Sequence, residues 1–300
     1  MERNIFALIK GTRELELEGY SPAKITRLHQ NGELTQLRKG IYIETKELQK
    51  LTDKDYCLIQ HQALARRFKD PIFSHTSAAL IWGAPLLHLP ATPHISFTRA
   101  YKRAQTGLKI HTRREELLGH TWSAEGLTIT SPLHTIADCT RTLPVFDALC
   151  IADWFLNEKH CTRIDLLPQL ETIRGRGRKT AQVLAHCASA LTESPAESFA
   201  ILRFYEWGIS PPEQQIELIT RRGYHYRPDF IWREHGIILE VDGNIKYYGT
   251  YRSTEEQFRR ENFRQRELEA DGWTIVRTTW SELRDTPHLL RERLARHGIR

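Results

Sequence analysis

The sequence predicts an α/β protein built from more than one domain, and three observations carry that prediction. The chain has 300 residues, whereas a single hydrophobic core usually serves about 100–150. Helical spacing of apolar residues and strand-like alternation are interleaved along it. Charge is divided as well. From Leu191 onward 17 Arg plus Lys stand against 18 Asp plus Glu, a balance of −1, and the first 190 residues hold 26 against 19, or +7. Three segments follow, at 1–56, 57–190 and 191–300.

Bulk properties exclude several classes. Hydrophobic residues make up 40% and charged residues 27% of the chain, with net charge +6, the profile of a soluble globular protein that suits a polyanionic partner such as DNA. No run of about twenty apolar residues is present, so no membrane span is expected. The opening MERNIFALIKGTRELELEG carries acids and lacks the apolar core of a secretory signal. Five cysteines, odd in number and never in a CxxC pair, fit a reduced, cytoplasmic protein without disulfides or a zinc knuckle.

In the first segment Ser21-Pro22 reads as an N-cap with proline at the first helical position. The helix AKITRLHQN runs to Gly32, a left-handed stop. ELTQLRKGIYIE then reads as two short strands around Arg38-Lys39-Gly40. Helices followed by a hairpin are the order of a winged helix-turn-helix. The helix after Ser21 becomes a recognition helix presenting Lys24, Arg27, His29 and Gln30 to DNA, with Arg38 and Lys39 at the wing tip. A small helical module with a solvated basic face has the same pattern.

The middle segment reads as mixed α/β. Helical patterns cover 53–68, 75–82, 145–157 and 180–191, and Pro132 opens another helix; HISFT, LKIHTR and GLTIT are strand-like. RGRGRKT reads as a solvated basic linker. Cys57 with His61, and His186 with Cys187, resemble fragments of metal sites without enough partners, and are expected to be packing residues.

The third segment opens on SPAE, a capping box with Ser194 as N-cap, Pro195 at N1 and Glu197 at N3. A helix to Gly208 follows. QIELIT, YRPDFIW and GIILEVDG read as three strands, Ser253 with Glu256 caps a long charged helix ending at Gly272, WTIVRTTW is a strand, and PHLLRERLARHG a final helix. Within GIILEVD, Glu240 and Asp242 point to one face about 7 Å apart, and a hairpin centred near Glu234-His235 brings Asp229 beside them. Three acids on adjacent strands repel unless a cation lies between them. Carboxylate oxygens with retained water are what Mg²⁺ or Mn²⁺ takes. A strand with one wet face, and Glu197 acting only as a cap, are the ordinary alternatives.

These residues also carry a resemblance. Glu197, the run Arg227-Pro228-Asp229-Phe230, the run Ile238-Leu239-Glu240-Val241-Asp242-Gly243, then Glu261, Arg264, Leu268, Gly272-Trp273 and Arg277 resemble the domain related to very short patch repair endonucleases. That family belongs to the restriction-endonuclease-like, PD-(D/E)xK superfamily. The resemblance implies a C-terminal restriction-endonuclease-like α/β domain with a central mixed sheet. It implies Asp229 as the main metal-binding aspartate, Glu240 as the second acid, and Glu197 and Glu261 as acids supplied by helices. Asp242 stands where the motif has a lysine, which leaves Lys246 as the relocated lysine. The N-terminal run GYSPAKITRLHQNGELTQLRKGIYIE is similar to the winged-helix domain of AbiEi-type antitoxins, DNA-binding repressors. FSHTSAALIWGAPL and SPLHTIADCTRTLPVFDALCIADWFL are similar to chains joining that module to a nuclease-like domain.

The expectation is therefore a DNA-binding protein with a Mg²⁺- or Mn²⁺-dependent endodeoxyribonuclease domain. Metal ligands are Asp229, Glu240 and Asp242; Glu197, Lys246 and Glu261 complete the catalytic set; Arg260 and Arg264 contact the phosphate backbone. A role in defence against foreign DNA or in repair follows from the likeness alone. The alternative is an AbiEi-like regulator or antitoxin with a decayed nuclease fold, with DNA, a toxin protein or a second copy of the chain as partner.

Overall fold

The computed structural model describes residues 4–68, 70–97, 107–112, 120–242 and 255–300, and the chain divides into two units, Met1–Cys139 and Thr140–Arg300. The architecture is mixed α/β with several sheets. No helix among the described residues is long and apolar enough to cross a membrane.

The first unit opens with β1 (Lys10–Gly11), α1 (Thr12–Leu17), α2 (Pro22–Gln30), β2 (Leu34–Arg38), β3 (Ile41–Glu44) and α3 (Thr45–Leu48). Ser21 Oγ accepts the Lys24 N–H at 3.2 Å and Pro22 occupies the first turn, as the sequence predicts. Leu15, Ile25 and Leu34 close a small core under α2. The β2–β3 turn passes through Gly40 at φ 75°, a conformation that costs glycine little, and the sheet order is β1-β3-β2.

After α4 (Asp53–Ala65) come β4 (Ile72–Phe73), α5 (His75–Trp82), β5 (His94–Phe97), β6 (Lys109–Thr112), β7 (Thr121–Ala124) and β8 (Leu127–Thr130). The five strands form one sheet in the order β6-β5-β4-β8-β7. The boundary expected between residues 56 and 57 falls inside α4, which serves two cores. Ile59 and Ala63 pack with Ile41 and Ile43 of the hairpin, while Leu64 packs with Phe73, Ile95 and Ile129 of the sheet. Apolar burial on both sides of one helix joins what the sequence pattern separates. Helix α6 (Pro132–Thr142) contains the division between the units.

In the second unit α7 (Val145–Asn157), α8 (Arg163–Glu171) and α9 (Arg178–Cys187) precede α10 (Pro195–Trp207). The boundary expected at 190/191 falls inside this unit. Asp153 of α7 accepts the Ser189 N–H at 2.8 Å and the Ser198 Oγ–H at 2.7 Å, tying α7 to α10. Next come β9 (Glu213–Gln214), β10 (Leu218–Ile219), β11 (His225–Tyr226), β12 (Phe230–Trp232), β13 (Ile237–Asp242), α11 (Glu255–Ala270), β14 (Thr274–Thr279), α12 (Trp280–Asp285) and α13 (Pro287–Arg296). The main sheet has the order β14-β13-β12-β9, with β13 and β14 parallel and the other neighbours antiparallel. QIELIT is not one strand, because Gln215 at φ 51° turns the chain out of β9; β10 and β11 pair separately.

Strand alternation sorts the faces of this sheet. Phe230 and Trp232 meet Phe204 of α10 edge-to-face, while Ile231 and Ile238 pack with Leu268 of α11. Ser253 and Lys246 lie outside the described residues.

Candidate functional site

Asp229 stands where the β12–β13 ladder stops. Phe230 pairs with Leu239, and two residues beyond Leu239 the Val241 N–H donates at 2.8 Å to the Asp229 carboxylate. The other Asp229 oxygen accepts from Gln215 Nε2 at 3.3 Å, and the same amide donates to Glu197 Oε2 at 3.2 Å. Gln215 is held in place from its backbone, where its N–H donates to the Asp229 carbonyl at 3.1 Å.

Glu197 is buried on the first turn of α10. It accepts from Ser194 Oγ at 2.6 Å and from the Glu193 N–H at 3.0 Å, so it serves both as cap and as partner of the Gln215 amide. Burial pushes the pKa values of Glu197 and Asp229 above the ordinary carboxylate range. Hydrogen bonds pull each back, and their mutual repulsion adds to the rise at Glu197.

Glu240 follows on β13 on the α11 side of the sheet, where Arg264 Nη2 pairs with its Oε1. The Arg264 guanidinium also lies 5.6 Å from the Tyr226 ring centroid. Arg264, expected to contact phosphate, is here the ion-pair partner of Glu240. Asp242 is exposed at the end of β13. Among the described residues, Asp229, Glu240 and Asp242 do not form a trio with oxygens within 4.8 Å of one another. Arg260 and Glu261 belong to α11, but their side chains lie outside the described residues.

In the first unit Lys24, Arg27, His29 and Gln30 are all exposed on α2. Lys24 Nζ sits 4.1 Å over the Tyr20 ring, and His29 Nδ1 lies 3.0 Å from the Leu34 carbonyl, binding α2 to β2. Lys39 is exposed in the hairpin turn. Arg38 is not at the tip: it is half-buried with a shielded Nε, turned toward His61, whose pKa burial and this cation lower to about 4. A slip of register between Gln36 and Arg38 accounts for the turn inward. His61 is a packing residue, bonded to the Cys57 carbonyl at 2.6 Å and Ser77 Oγ at 2.7 Å.

One constellation has no counterpart in the sequence reading. His75, His94 and His111 offer ring nitrogens within 4.8 Å of one another. Each lies in a stretch that was legible as a helix or strand, but only the β5–β6 pairing and the β4–α5 corner bring them together. Burial and the neighbouring His111 push the His94 pKa down to about 3, which leaves its imidazole neutral at neutral pH.

No family model matches the chain. It is similar to two proteins of Mycobacterium tuberculosis, Uncharacterized protein MT2308 (strain CDC 1551 / Oshkosh) and Uncharacterized protein Rv2248 (strain ATCC 25618 / H37Rv). Each is 29% identical over 196 residues, which is 65% of this chain and 69% of theirs. Among solved structures, the crystal structure of RV2827C protein from Mycobacterium tuberculosis aligns with a TM-score of 0.40 and 16% identity, covering 70% of this chain and 83% of that one.

Proposed function

We propose that this chain binds DNA through α2 and the β2–β3 turn, and that its second unit hydrolyses phosphodiester bonds with a divalent metal ion. The carrying observation is the Gln215 amide shared by Glu197 and Asp229 at 3.2 and 3.3 Å. It joins an acid from the first turn of α10 to an acid just before β12, the two residues that the resemblance to the repair-endonuclease domain assigns to the site. The order helix, three strands of the main sheet, helix, strand also supports a restriction-endonuclease-like reading of this unit, and helices followed by a hairpin support a winged-helix reading of residues 1–56.

Carboxylate oxygens are the donors that magnesium or manganese takes, with one or two carboxylates and retained water. Asp229 and Glu240 would hold it, with Asp242 reaching it through water, and the bound ion supplies a more acidic water and a counter-charge for the phosphate. The protein's own part is positioning. The Val241 N–H and Gln215 fix Asp229, and Gln215 with Ser194 fixes Glu197. Glu197, whose pKa is raised by burial and in part lowered again by hydrogen bonds from Glu193, Ser194 and Gln215, stands as a second acid beside Asp229. Arg264, which pairs with Glu240, would be the cation available to the phosphate were Glu240 to hold the metal. Lys24, Arg27, Gln30 and Lys39 supply phosphate and base contacts from the first unit.

The test is incubation of the purified full chain with supercoiled plasmid and single-stranded DNA in Mg²⁺, Mn²⁺ or EDTA, beside Asp229→Ala. Metal-dependent cleavage lost in the variant is expected. No cleavage, together with no heat of magnesium binding, refutes it. A specific observation favours one other reading, a DNA-binding regulator of the antitoxin type with a decayed nuclease fold. Arg264 already supplies a cation to Glu240, and position 242 holds an aspartate in place of the motif lysine. Operator binding without cleavage is its signature, and a partner toxin or a homodimer is the assembly to look for.

A further inference from the structure

We propose that His75, His94 and His111 form a binding site for one zinc-class divalent metal ion in the first unit, with Asp138 orienting His75. The three imidazoles come from separate elements: His75 begins α5, His94 begins β5 and His111 lies on β6. Their ring nitrogens lie within 4.8 Å of one another, and His94 Nδ1 is 3.1 Å from His111 Nε2. Tetrahedral zinc, with Zn–N bonds of about 2.0–2.1 Å, spaces its ligand nitrogens about 3.3–3.4 Å apart. The trio is therefore near ligand spacing at its closest edge.

The surroundings are those of a metal-bound histidine. His75 Nδ1 lies 3.4 Å from Asp138 Oδ2 and 2.9 Å from Ser74 Oγ. A ligating histidine commonly directs its second nitrogen at a carboxylate in this way. Asp138 is fully buried at 0% exposure, and a cation beside its histidine would offset the cost of burying a carboxylate there. His75 also adopts φ 54°, a left-handed conformation that is strained for a side chain of this size and that recurs at ligand sites. Ser96 Oγ donates to Ser74 Oγ at 2.8 Å, fixing the corner from which His75 projects.

The ligand class follows from the donors. Neutral imidazoles suit zinc, copper, nickel and cobalt, whereas magnesium takes hard oxygens, so this site is chemically distinct from the carboxylates of the second unit. Three protein ligands leave a fourth position for water, the open arrangement of reactive zinc centres. His111 is only half-buried and provides the opening. The His75 and His111 rings are stacked with centroids 3.8 Å apart, so coordination by both would require the rings to rotate out of the stack.

The full chain, stripped with a chelator, is titrated with Zn²⁺ and with Mg²⁺ as control, and separately with Co²⁺ followed by visible absorption. One zinc per chain, tetrahedral-type cobalt bands and a zinc-dependent rise in melting temperature are expected. All three should be absent in His111→Ala and His94→Gln, and affinity should fall about 10–100-fold in Asp138→Asn. Far-UV circular dichroism of His111→Ala establishes that this half-buried variant keeps its fold. A wild-type chain that takes up neither zinc nor cobalt overturns the proposal whatever the variants do, and so does undiminished uptake by a folded His111→Ala.

Discussion

In an Asp229→Asn chain the side-chain shape is kept and the charge removed. Asparagine Oδ1 still accepts the Val241 N–H, now 2.8 Å away. Its amide nitrogen faces Gln215 Nε2, so Gln215 must turn its own amide over or lose the contact it makes at 3.3 Å. The net structural loss is one hydrogen bond, about 1 kcal/mol. Working the other way, burial raises the Asp229 pKa, so the folded state resists the charge that the variant removes. A folded pKa above the unfolded one gives a contribution that is full below about pH 3.9 and lost as pH rises through the folded value. Relative to wild type, the variant therefore gains stability with pH across that window and lies within about 1 kcal/mol of it at pH 7. On the proposed nuclease function, cleavage should nonetheless fall about 10³-fold, the equivalent of about 4 kcal/mol of lost metal and phosphate stabilisation. Urea melts at pH 4 and 7, set beside plasmid nicking, read both quantities. Nicking at the wild-type rate refutes the assignment of Asp229, and a stability loss above about 3 kcal/mol refutes the premise that its charge serves chemistry and not the fold.

Three further outcomes are expected. Asp153 is fully buried and its pKa is pushed up to about 7 by desolvation, so its contribution to stability is complete below about pH 3.9 and lost as pH rises toward 7. Asp153→Asn should flatten that decline in pH-dependent melts, whereas Asp153→Ala orphans the Ser189 N–H and should cost about 1–3 kcal/mol. Gly177 caps α9 at φ 87°, where an added Cβ would lie 2.7 Å from Arg141 Cα. Gly177→Ala should cost roughly 2–4 kcal/mol by denaturant melt, from the left-handed backbone plus overpacking. On the proposed DNA-binding role, Lys24→Ala and Lys39→Ala should each reduce the salt slope of DNA binding by about 1 in a filter or fluorescence titration, while Arg38→Ala, turned inward, should leave that slope unchanged.

Helix ends were legible wherever the determinant is local. Ser21-Pro22 and Ser194-Pro195 start helices, and Gly208 at φ 72° stops one, because side-chain capping and left-handed glycine act within one turn. Helices His75–Trp82 and Val145–Asn157 keep the bounds expected of them. Strand β4 spans only two residues and β7 exposes most of its side chains, so neither carries an alternation strong enough to read. Helix α8 contains Pro168, which argues against a helix locally and is outweighed by burial of Leu166 and Leu170.

The candidate sites divide along the same line. By itself the sequence determined that the strands after Asp229 and Gly236 pair as neighbours, since a short connection ending in Gly236 joins them. Tertiary structure alone decided that Gln215 joins Asp229 to Glu197, that Arg264 pairs with Glu240, that α4 fuses hairpin and sheet, and that His75, His94 and His111 meet. Local backbone and capping preferences act over a few residues and are written in the order of the chain. Convergence of distant side chains depends on which faces bury together, and that is settled only when the elements pack.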